Sequence, residues 1–370
     1  MKVLYIVSTL ERCGPNNVLY NIIKHAKFEY LIMTLSKEKD NSMIGDFQIL
    51  NSKVHCLDSD DFFAKKVVVD KVINVIREEN IDIIHTHGIR SDILGYKISK
   101  KTSVKHISTI HNYPYFDYPI LYGKLKGFIL SRIHIHYIKR IDKPIACSKF
   151  ISDTFNEKYG KKIDYIQNGV DESKFFPLSD NIKKIKREKH NFSPNDVIFI
   201  STNMLIKRKR PLELIETFIQ TFEKSHEKPT LLLLGDGNLK DLIIKKIGKS
   251  EMIKYIGRVS NVIEYLQIAD VFVSNSIAEG LPMAALEALS CGLFLNLSSI
   301  PSHKEIFDEI NTDIILFDDE NISEVLKKSY SKVKTKRVKK HHHNNVFLSS
   351  IMSDKYQEVY KSEMIKWTIY

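Results

Sequence analysis

The stretch Glu279-Gly280-Leu281-Pro282-Met283-Ala284-Ala285-Leu286-Glu287 sets two carboxylates on either side of a helix start. It follows a β-branched run at 271–274 and a short polar loop, so strand, loop and helix succeed one another here. Pro282 suits the first helical turn, where its missing N–H costs nothing. The amides of Leu281, Met283 and Ala284 then lie at the positive end of that helix, a place suited to phosphate. Glu287 falls in the second turn, placed to reach a hydroxyl-bearing group beside the phosphate, and Glu279 lies in the loop before it. Spacing alone leaves another reading open, with Glu279 complementing the helix dipole and Glu287 merely solvated.

Outward from this segment the chain keeps the same alternation. Strand-like runs at 197–201, 230–234, 253–256, 271–274, 293–297 and 314–317 are separated by helical spacing at 211–222, 239–247, 262–268, 283–289 and 323–329. An earlier series, with strand-like runs at 2–7, 30–35, 53–57, 82–87, 106–110, 144–147 and 164–167, has helical apolar spacing at 18–26, 67–76 and 129–138. Such alternation predicts mostly parallel sheets covered on both faces. At 370 residues the chain suits two domains of this α/β kind, Rossmann-like and doubly wound, facing a central cleft. The expected boundaries are a first domain at 1–178, a polar linker with one surface helix at 179–194 and a second domain at 195–350. A helix at 351–370, with Tyr356, Val359, Tyr360, Met364 and Trp367 on one stripe, is expected to pack back on the first domain. Ligands of such sheets bind outside the carboxyl ends of the strands.

Composition narrows the class. No run of about 18 apolar residues is present to span a bilayer. The short apolar run at 3–7 meets Glu11 and Arg12 and reads as a buried strand rather than a signal peptide, which predicts a cytoplasmic protein. Cys13, Cys56, Cys147 and Cys291 lack metal or disulfide spacing and read as reduced thiols. The 56 basic and 45 acidic residues leave a formal charge of +11, which favours anionic partners. Much of the excess lies in 183–189 and 332–343, both read as solvated linker or loop charge. Adjacent His341, His342 and His343 cannot all face one metal from a regular element.

The segment 279–287 resembles the E-x7-E motif of glycosyltransferase family 4, enzymes of the two-domain GT-B fold. Other matches stand in the family's order: Asn168-Gly169-Val170-Asp171 with Phe175, Leu234-Gly235-Asp236-Gly237, Gly257-Arg258-Val259 and Ala269-Asp270-Val271-Phe272-Val273. Cys13-Gly14-Pro15 is similar to the first-strand loop of O-antigen and capsule members. Each motif is weak alone, since an isolated G-x-G is a common turn, but their order and spacing make the set specific.

What the resemblance implies can be stated by position. Glu287 binds the donor ribose, Glu279 contacts the sugar, and the backbone of 280–284, Gly280 and Pro282 included, holds donor phosphate and sugar hydroxyls. Lys209 neutralises the diphosphate leaving group, a task suited to a compact cation. His111 touches the transferred sugar, and Gly14 admits the donor beside the first-domain backbone. Ser148 matches a family serine, though a helix N-cap accounts for it equally well. Two departures stand out: Asn203-Met204 replaces a Gly-Arg pair whose arginine binds diphosphate, leaving Arg208 to substitute, and Cys13 replaces the first of two glycines.

The resulting expectation is a retaining transferase for bacterial surface polysaccharide, O-antigen, lipopolysaccharide or capsule. It takes a UDP- or GDP-sugar as donor and a saccharide, polyprenyl-diphosphate-linked, as acceptor. No D-x-D-like acidic motif stands where a metal-diphosphate site would need one, and neither a metal nor another cofactor is expected. The basic amphipathic stretch 122–140 in the acceptor domain suits an acidic membrane surface or, equally, a buried helix with a charged outer face. The alternatives are a sugar-nucleotide epimerase of the same fold and a basic nucleic-acid-binding protein, for which no recognition helix or aromatic-basic platform is visible.

Overall fold

The computed structural model describes residues 1–226, 228–335 and 346–368, the side chains of 366–368 excepted. The histidine run 341–343 and most of the second basic tract lie outside the described residues, as does the side chain of Trp367. The chain divides into two compact units, Met1–Gly169 with Phe347–Tyr370, and Val170–Val346.

The first unit begins β1 (Lys2–Val7), α1 (Gly14–Lys24), β2 (Glu29–Thr34), α2 (Ile44–Ile49), β3 (Val54–Cys56), α3 (Lys66–Glu78), β4 (Ile83–His87) and α4 (Ile89–Ser99). It continues β5 (Lys105–Ile110), α5 (Pro114–Tyr122), α6 (Lys124–Ile138), β6 (Lys143–Ala146), α7 (Lys149–Tyr159) and β7 (Asp164–Tyr165). Its seven strands are ordered β3-β2-β1-β4-β5-β6-β7, and every pairing is parallel. Strands buried on both faces must be apolar nearly throughout. Leu4, Ile6, Leu31, Met33 and Ile84 accordingly meet Val72 and Ile76 of α3 and Ile98 of α4 in one core.

The second unit holds α8 (Asp180–Lys189), β8 (Ile198–Thr202), α9 (Pro211–Phe222), β9 (Thr230–Leu234), α10 (Lys240–Ile247), β10 (Ile253–Gly257) and α11 (Val262–Ile268). There follow β11 (Val271–Ser274), α12 (Met283–Ser290), β12 (Phe294–Ser298), α13 (Pro301–Ile310), β13 (Ile314–Phe317) and α14 (Ile322–Thr335). Its six strands, also parallel, run β10-β9-β8-β11-β12-β13. The last helix, α15 (Ser349–Thr368), belongs to the first unit.

Polar contacts fix α15 in place. Tyr360 Oη lies 3.0 Å from Tyr5 Oη and 2.6 Å from His85 Nδ1, while Tyr356 Oη lies 2.8 Å from Thr109 Oγ1. Gly169, read from the sequence as part of a family segment, has a steric task here. A Cβ at that position would stand 2.3 Å from Leu348 O, so only glycine lets the chain cross the entry to α15.

The surface helix read within the linker 179–194 is present, but the reading of its charge as merely solvated is corrected. Residues 180–189 form α8, fixed in the second unit by Arg187, whose side chain is 6% exposed. Its guanidinium donates to the carbonyls of Ile268, Pro194 and Asp196 and to both oxygens of Asp270. Asp270 also accepts from Lys183 Nζ at 2.9 Å and from Ile198 N at 3.0 Å. Composition labelled this tract as linker charge because its partner, Asp270, lies far along the sequence.

Removing one member of a buried, hydrogen-bonded ion pair leaves the other charge unpaired. Arg187→Ala is therefore expected to cost about 3–5 kcal/mol. Urea denaturation of the whole chain should show it in the transition of the second unit, whereas Lys184→Ala, on the exposed face of α8, should fall within about 0.5 kcal/mol of wild type.

Candidate functional site

In the second sheet the chain leaves β8 toward β9 and leaves β11 toward β12, in opposite directions. A crevice opens where neighbouring strands part in this way. Lys207–Lys209, a 3-10 turn, follows β8, and Glu279 lies in the loop after β11. The sequence-predicted pair Lys209 and Glu279 thus meet at the switch point.

Glycine sets the first loop. Gly235 has φ +134°, and a Cβ on it would stand 1.9 Å from Asn203 O; one on Gly237 would stand 2.5 Å from Leu205 O. The turn after β9 therefore closes directly on the chain leaving β8, with Leu205 N donating to Asp236 O at 3.0 Å. Arg210, in the left-handed conformation at φ 49°, then turns the chain into α9, whose first residue is Pro211. Lys209 is delivered to the crevice by this sequence of constraints.

The second loop is tied to the first through Arg208. Ile277 N donates to Arg208 O at 3.0 Å, while Arg208 Nη1 donates to Ala278 O and to Glu279 Oε2 at 2.8 Å. Lys209 Nζ donates to Glu279 Oε1, and the Glu279 side chain is 7% exposed. Burial alone would raise the Glu279 carboxyl, but Lys209 and Arg208 outweigh it and hold the group at about 2. Arg208, expected to replace the arginine missing at Met204, thus faces the loop at 278–279, while the Met204 side chain is exposed.

Below this cluster lie residues that the sequence reading missed. Ser298 Oγ donates to Ser276 O at 2.6 Å, and His303 Nδ1 lies 2.8 Å from Ser298 O. Burial holds His303 near 4, so the ring is neutral and its Nδ1–H donates to that carbonyl. A lone histidine in a first helical turn carried no signal of this role.

After Glu279 comes α12. It starts at Met283 as the spacing predicts, but Pro282, with φ −73° and ψ 110°, is its N-cap and not a first-turn residue. The proline serves here for the same reason, since a cap residue needs no N–H. Met283 and Ala284 supply the first-turn amides, which have no carbonyl of their own helix to meet. Gly280 and Leu281, buried in the loop, lead into that end. Glu287 is 9% exposed, buried rather than solvated, and close enough to Cys291 that both burial and this carboxylate push the thiol's pKa up.

The remaining predicted residues belong to the first unit. His111 directly follows β5, and its Nε2 lies 2.8 Å from His87 Nδ1. Burial lowers His111 to about 4, so its imidazole is neutral at physiological pH. Gly14 opens α1 with Pro15 beside it, and Ser148 caps α7 by accepting from Ile151 N. Among the described residues no group of three or more His, Cys, Asp or Glu side chains is placed to hold a metal ion.

Comparison with known proteins places family models on both units. Residues 182–344 match the model for glycosyl transferases group 1, and residues 55–174 match Glycosyltransferase Family 4. An O-antigen biosynthesis glycosyltransferase of Escherichia coli, WclY, is 28% identical, with 98% of each chain covered. A UDP-Gal:alpha-D-GlcNAc-diphosphoundecaprenol alpha-1,3-galactosyltransferase from the same species is 27% identical over 61% of this chain and 60% of its own. Among solved structures, Anabaena Alr3699/HepE in complex with UDP and glucose superposes with a TM-score of 0.81. It is 16% identical and the match covers 98% of this chain and all of that one, which speaks to the fold, GT-B.

Two outcomes test this geometry. Gly235→Ala forces a Cβ into Asn203 O and should cost at least about 1–3 kcal/mol in backbone strain, read by urea denaturation. Gly45→Ala, where a Cβ meets nothing within 4 Å, is the neutral control. A carboxyl held below its unfolded value of about 4.3 stabilises the fold above that pH and loses the effect as pH falls toward 2. The stability difference between wild type and Glu279→Gln should accordingly be flat above about pH 5 and shrink on acidification toward 2.

Proposed function

The chain belongs to glycosyltransferase family 4, and from that premise we propose that it moves a sugar from a UDP- or GDP-sugar to a polyprenyl-diphosphate-linked saccharide, with retention at the anomeric carbon. The observation that carries this is the meeting of Lys209, Glu279 and the amino end of α12 at the switch point. An excess of positive potential there suits a diphosphate, and a leaving diphosphate gathers negative charge as the glycosidic bond breaks. Donors fixed before reaction stabilise that charge without reorganisation. Lys209 has three N–H donors, so its bond to Glu279 is compatible with a phosphate oxygen on the same ammonium.

The other residues divide the remaining work. Met283 and Ala284 N–H groups receive phosphate or sugar hydroxyls, and Glu287 accepts from the donor ribose. Arg208 holds the loop 278–279 in register, so that Glu279 sets the position of Lys209 and meets the sugar from the same side. His111 contacts the transferred sugar, and Gly14 flanks the donor. Charge neutralisation by Lys209 and the helix end fills the part a metal ion plays elsewhere, and the reaction needs none.

Place follows from the first unit. Helices α5 and α6 form a hairpin about Gly123, which takes φ 83°, and α6 carries the basic stretch expected over 122–140 as one helix. Gly127 packs on the Pro119 backbone, where a Cβ would stand 2.4 Å away. The tip exposes Leu121, Tyr122, Leu125, Phe128 and Ile129, with Leu125 at 77%, beside exposed Lys124, Lys126 and Arg132. Asp117, the one acid between 112 and 141, is buried. An apolar patch framed by cations alone matches an anionic bilayer, and no helix among the described residues is long and apolar enough to cross one. The proposed setting is therefore the cytoplasmic face of the membrane, where a lipid-carried acceptor is presented. The same class of acceptor stands in the name of the galactosyltransferase relative.

Thermal shift with a panel of UDP- and GDP-sugars identifies the donor, since a bound ligand raises the apparent melting temperature. Glu287→Ala should weaken that donor by roughly 10- to 100-fold, the worth of charge-assisted hydrogen bonds. Lys209→Ala should instead lower kcat by roughly 100-fold or more. Wild-type behaviour of both variants would remove the site assignment. Wild type should float with vesicles containing anionic lipid at low salt, and Leu125→Glu with Phe128→Glu should abolish flotation while leaving donor binding intact.

A further inference from the structure

Three imidazoles stack in the first unit. His85 and His87 rings lie 4.6 Å apart at 29°, and His87 and His111 rings lie 5.1 Å apart at 24°. His85 is satisfied at both nitrogens, by Tyr360 Oη at 2.6 Å and Thr109 Oγ1 at 2.8 Å. His87 differs. Its Nδ1 meets His111 Nε2 at 2.8 Å, but its Nε2 is buried with no hydrogen-bond partner among the described residues.

That asymmetry fixes a proton. Burial lowers all three rings, His85 to about 3, His111 to about 4 and His87 well below the usual range, so each is neutral and carries one N–H. The bond between His87 and His111 can be made in two ways. Were His111 the donor, the proton of His87 would sit on Nε2 and a buried N–H would be left unpaired. With His87 donating from Nδ1, only a bare lone pair is buried. Orphaned buried N–H groups are the rarer and costlier case. The second arrangement puts the proton of His111 on Nδ1.

We infer that His87 is a positioning residue that holds His111 in its Nδ1–H form, so that His111 offers a hydrogen-bond donor to an oxygen of the bound sugar. This rests on the reading of His111 as a sugar contact. In a neutral imidazole the role of one nitrogen is set by the bond made at the other. An isolated imidazole favours the Nε2–H form, so without His87 the ring would turn an acceptor toward the sugar. The backbone of His111 is held separately, by Cys147 Sγ donating to its carbonyl at 3.4 Å, so the side chain's tautomer and angle are left to His87.

Long-range 15N–1H spectra of the imidazole-labelled full-length chain read the tautomer directly, with His111 assigned by its loss in His111→Asn. Wild type is expected to show His111 as Nδ1–H. His87→Leu should shift it toward Nε2–H and lower kcat by roughly 10- to 100-fold, the scale of a misplaced catalytic contact, with donor KM nearly unchanged. His87→Asn, whose amide nitrogen stands near the place of Nδ1, should restore the tautomer and most of kcat. A purely structural role would lower melting temperature and yield without moving the tautomer. An Nε2–H His111 in wild type, or an unchanged tautomer in His87→Leu, would overturn the inference. Should His87→Leu fail to fold, the wild-type and His87→Asn spectra still decide. Full activity of His111→Asn would remove the sugar contact alone, leaving the tautomer result to stand by itself.

Discussion

Glu279 sits between Arg208 and Lys209, and the arrangement of the crevice in the second unit depends on that contact. The three residues come from loops following different strands, β8 and β11, which are neighbours only because the sheet order reverses there. Burying a carboxylate is unfavourable, and pairing it repays the cost only with good geometry. Here the geometry is enforced from outside the pair. Gly235 and Gly237 pin the first loop, while Ser276, Ser298 and His303 support the second. The ion pair is best understood as a register device, joining two loops so that a lysine and a helix end face one place.

The first unit solves a related problem with neutral groups. Polar side chains of β1, β4 and β5 would be costly beneath a helix unless each is paired. Tyr5, His85 and Thr109 are answered by Tyr360 and Tyr356 of α15, so the last helix completes the interior of the first sheet. A second buried chain, Tyr118 to His134 to Asp92, anchors the α5–α6 hairpin to α4, with distances of 2.7 Å at both steps. Burial would raise Asp92, yet His134 and Thr86 bring it below the ordinary range. A hairpin whose tip is apolar and exposed is thus held at its base by a charged group that cannot easily leave.

The positions of the strands were plain in the sequence, because strands buried on both faces leave unbroken apolar runs such as 231–234 and 271–273. The 279–287 segment was legible for a related reason, since Pro282 answers a local backbone demand, whereas Gly235 and Gly237 showed as a turn but not as the close approach to Asn203 and Leu205 that requires them. What stayed hidden depends on distance along the chain. Arg187 looked like linker charge because Asp270 is remote, and the tie from His134 to Asp92 that anchors the helix 124–138 was hidden for the same reason. His87 and His303 were invisible as working residues, since a histidine's role is set by which nitrogen is paired, and that is written only in three dimensions.

The departure at Met204 takes its meaning from the charge balance at the switch point. Lys209, Arg208 and Glu279 together leave one net positive charge, and Arg208 is turned toward the carbonyl of Ala278. A second arginine at 204 would have added a mobile cation above this cluster, but the exposed Met204 adds none. The two phosphates of the proposed donor would then face a single net charge and the partial charge of one helix end, roughly half a unit. Such a site suits the proposed diphosphate less by bulk charge than by placement. Placement is also what the rest of the unit secures, through two glycines that fix one loop and a buried carboxylate that fixes the other. Loss of an arginine is tolerable where the remaining donors cannot drift, and the close packing of Asn203 against Gly235 is what denies them room to do so.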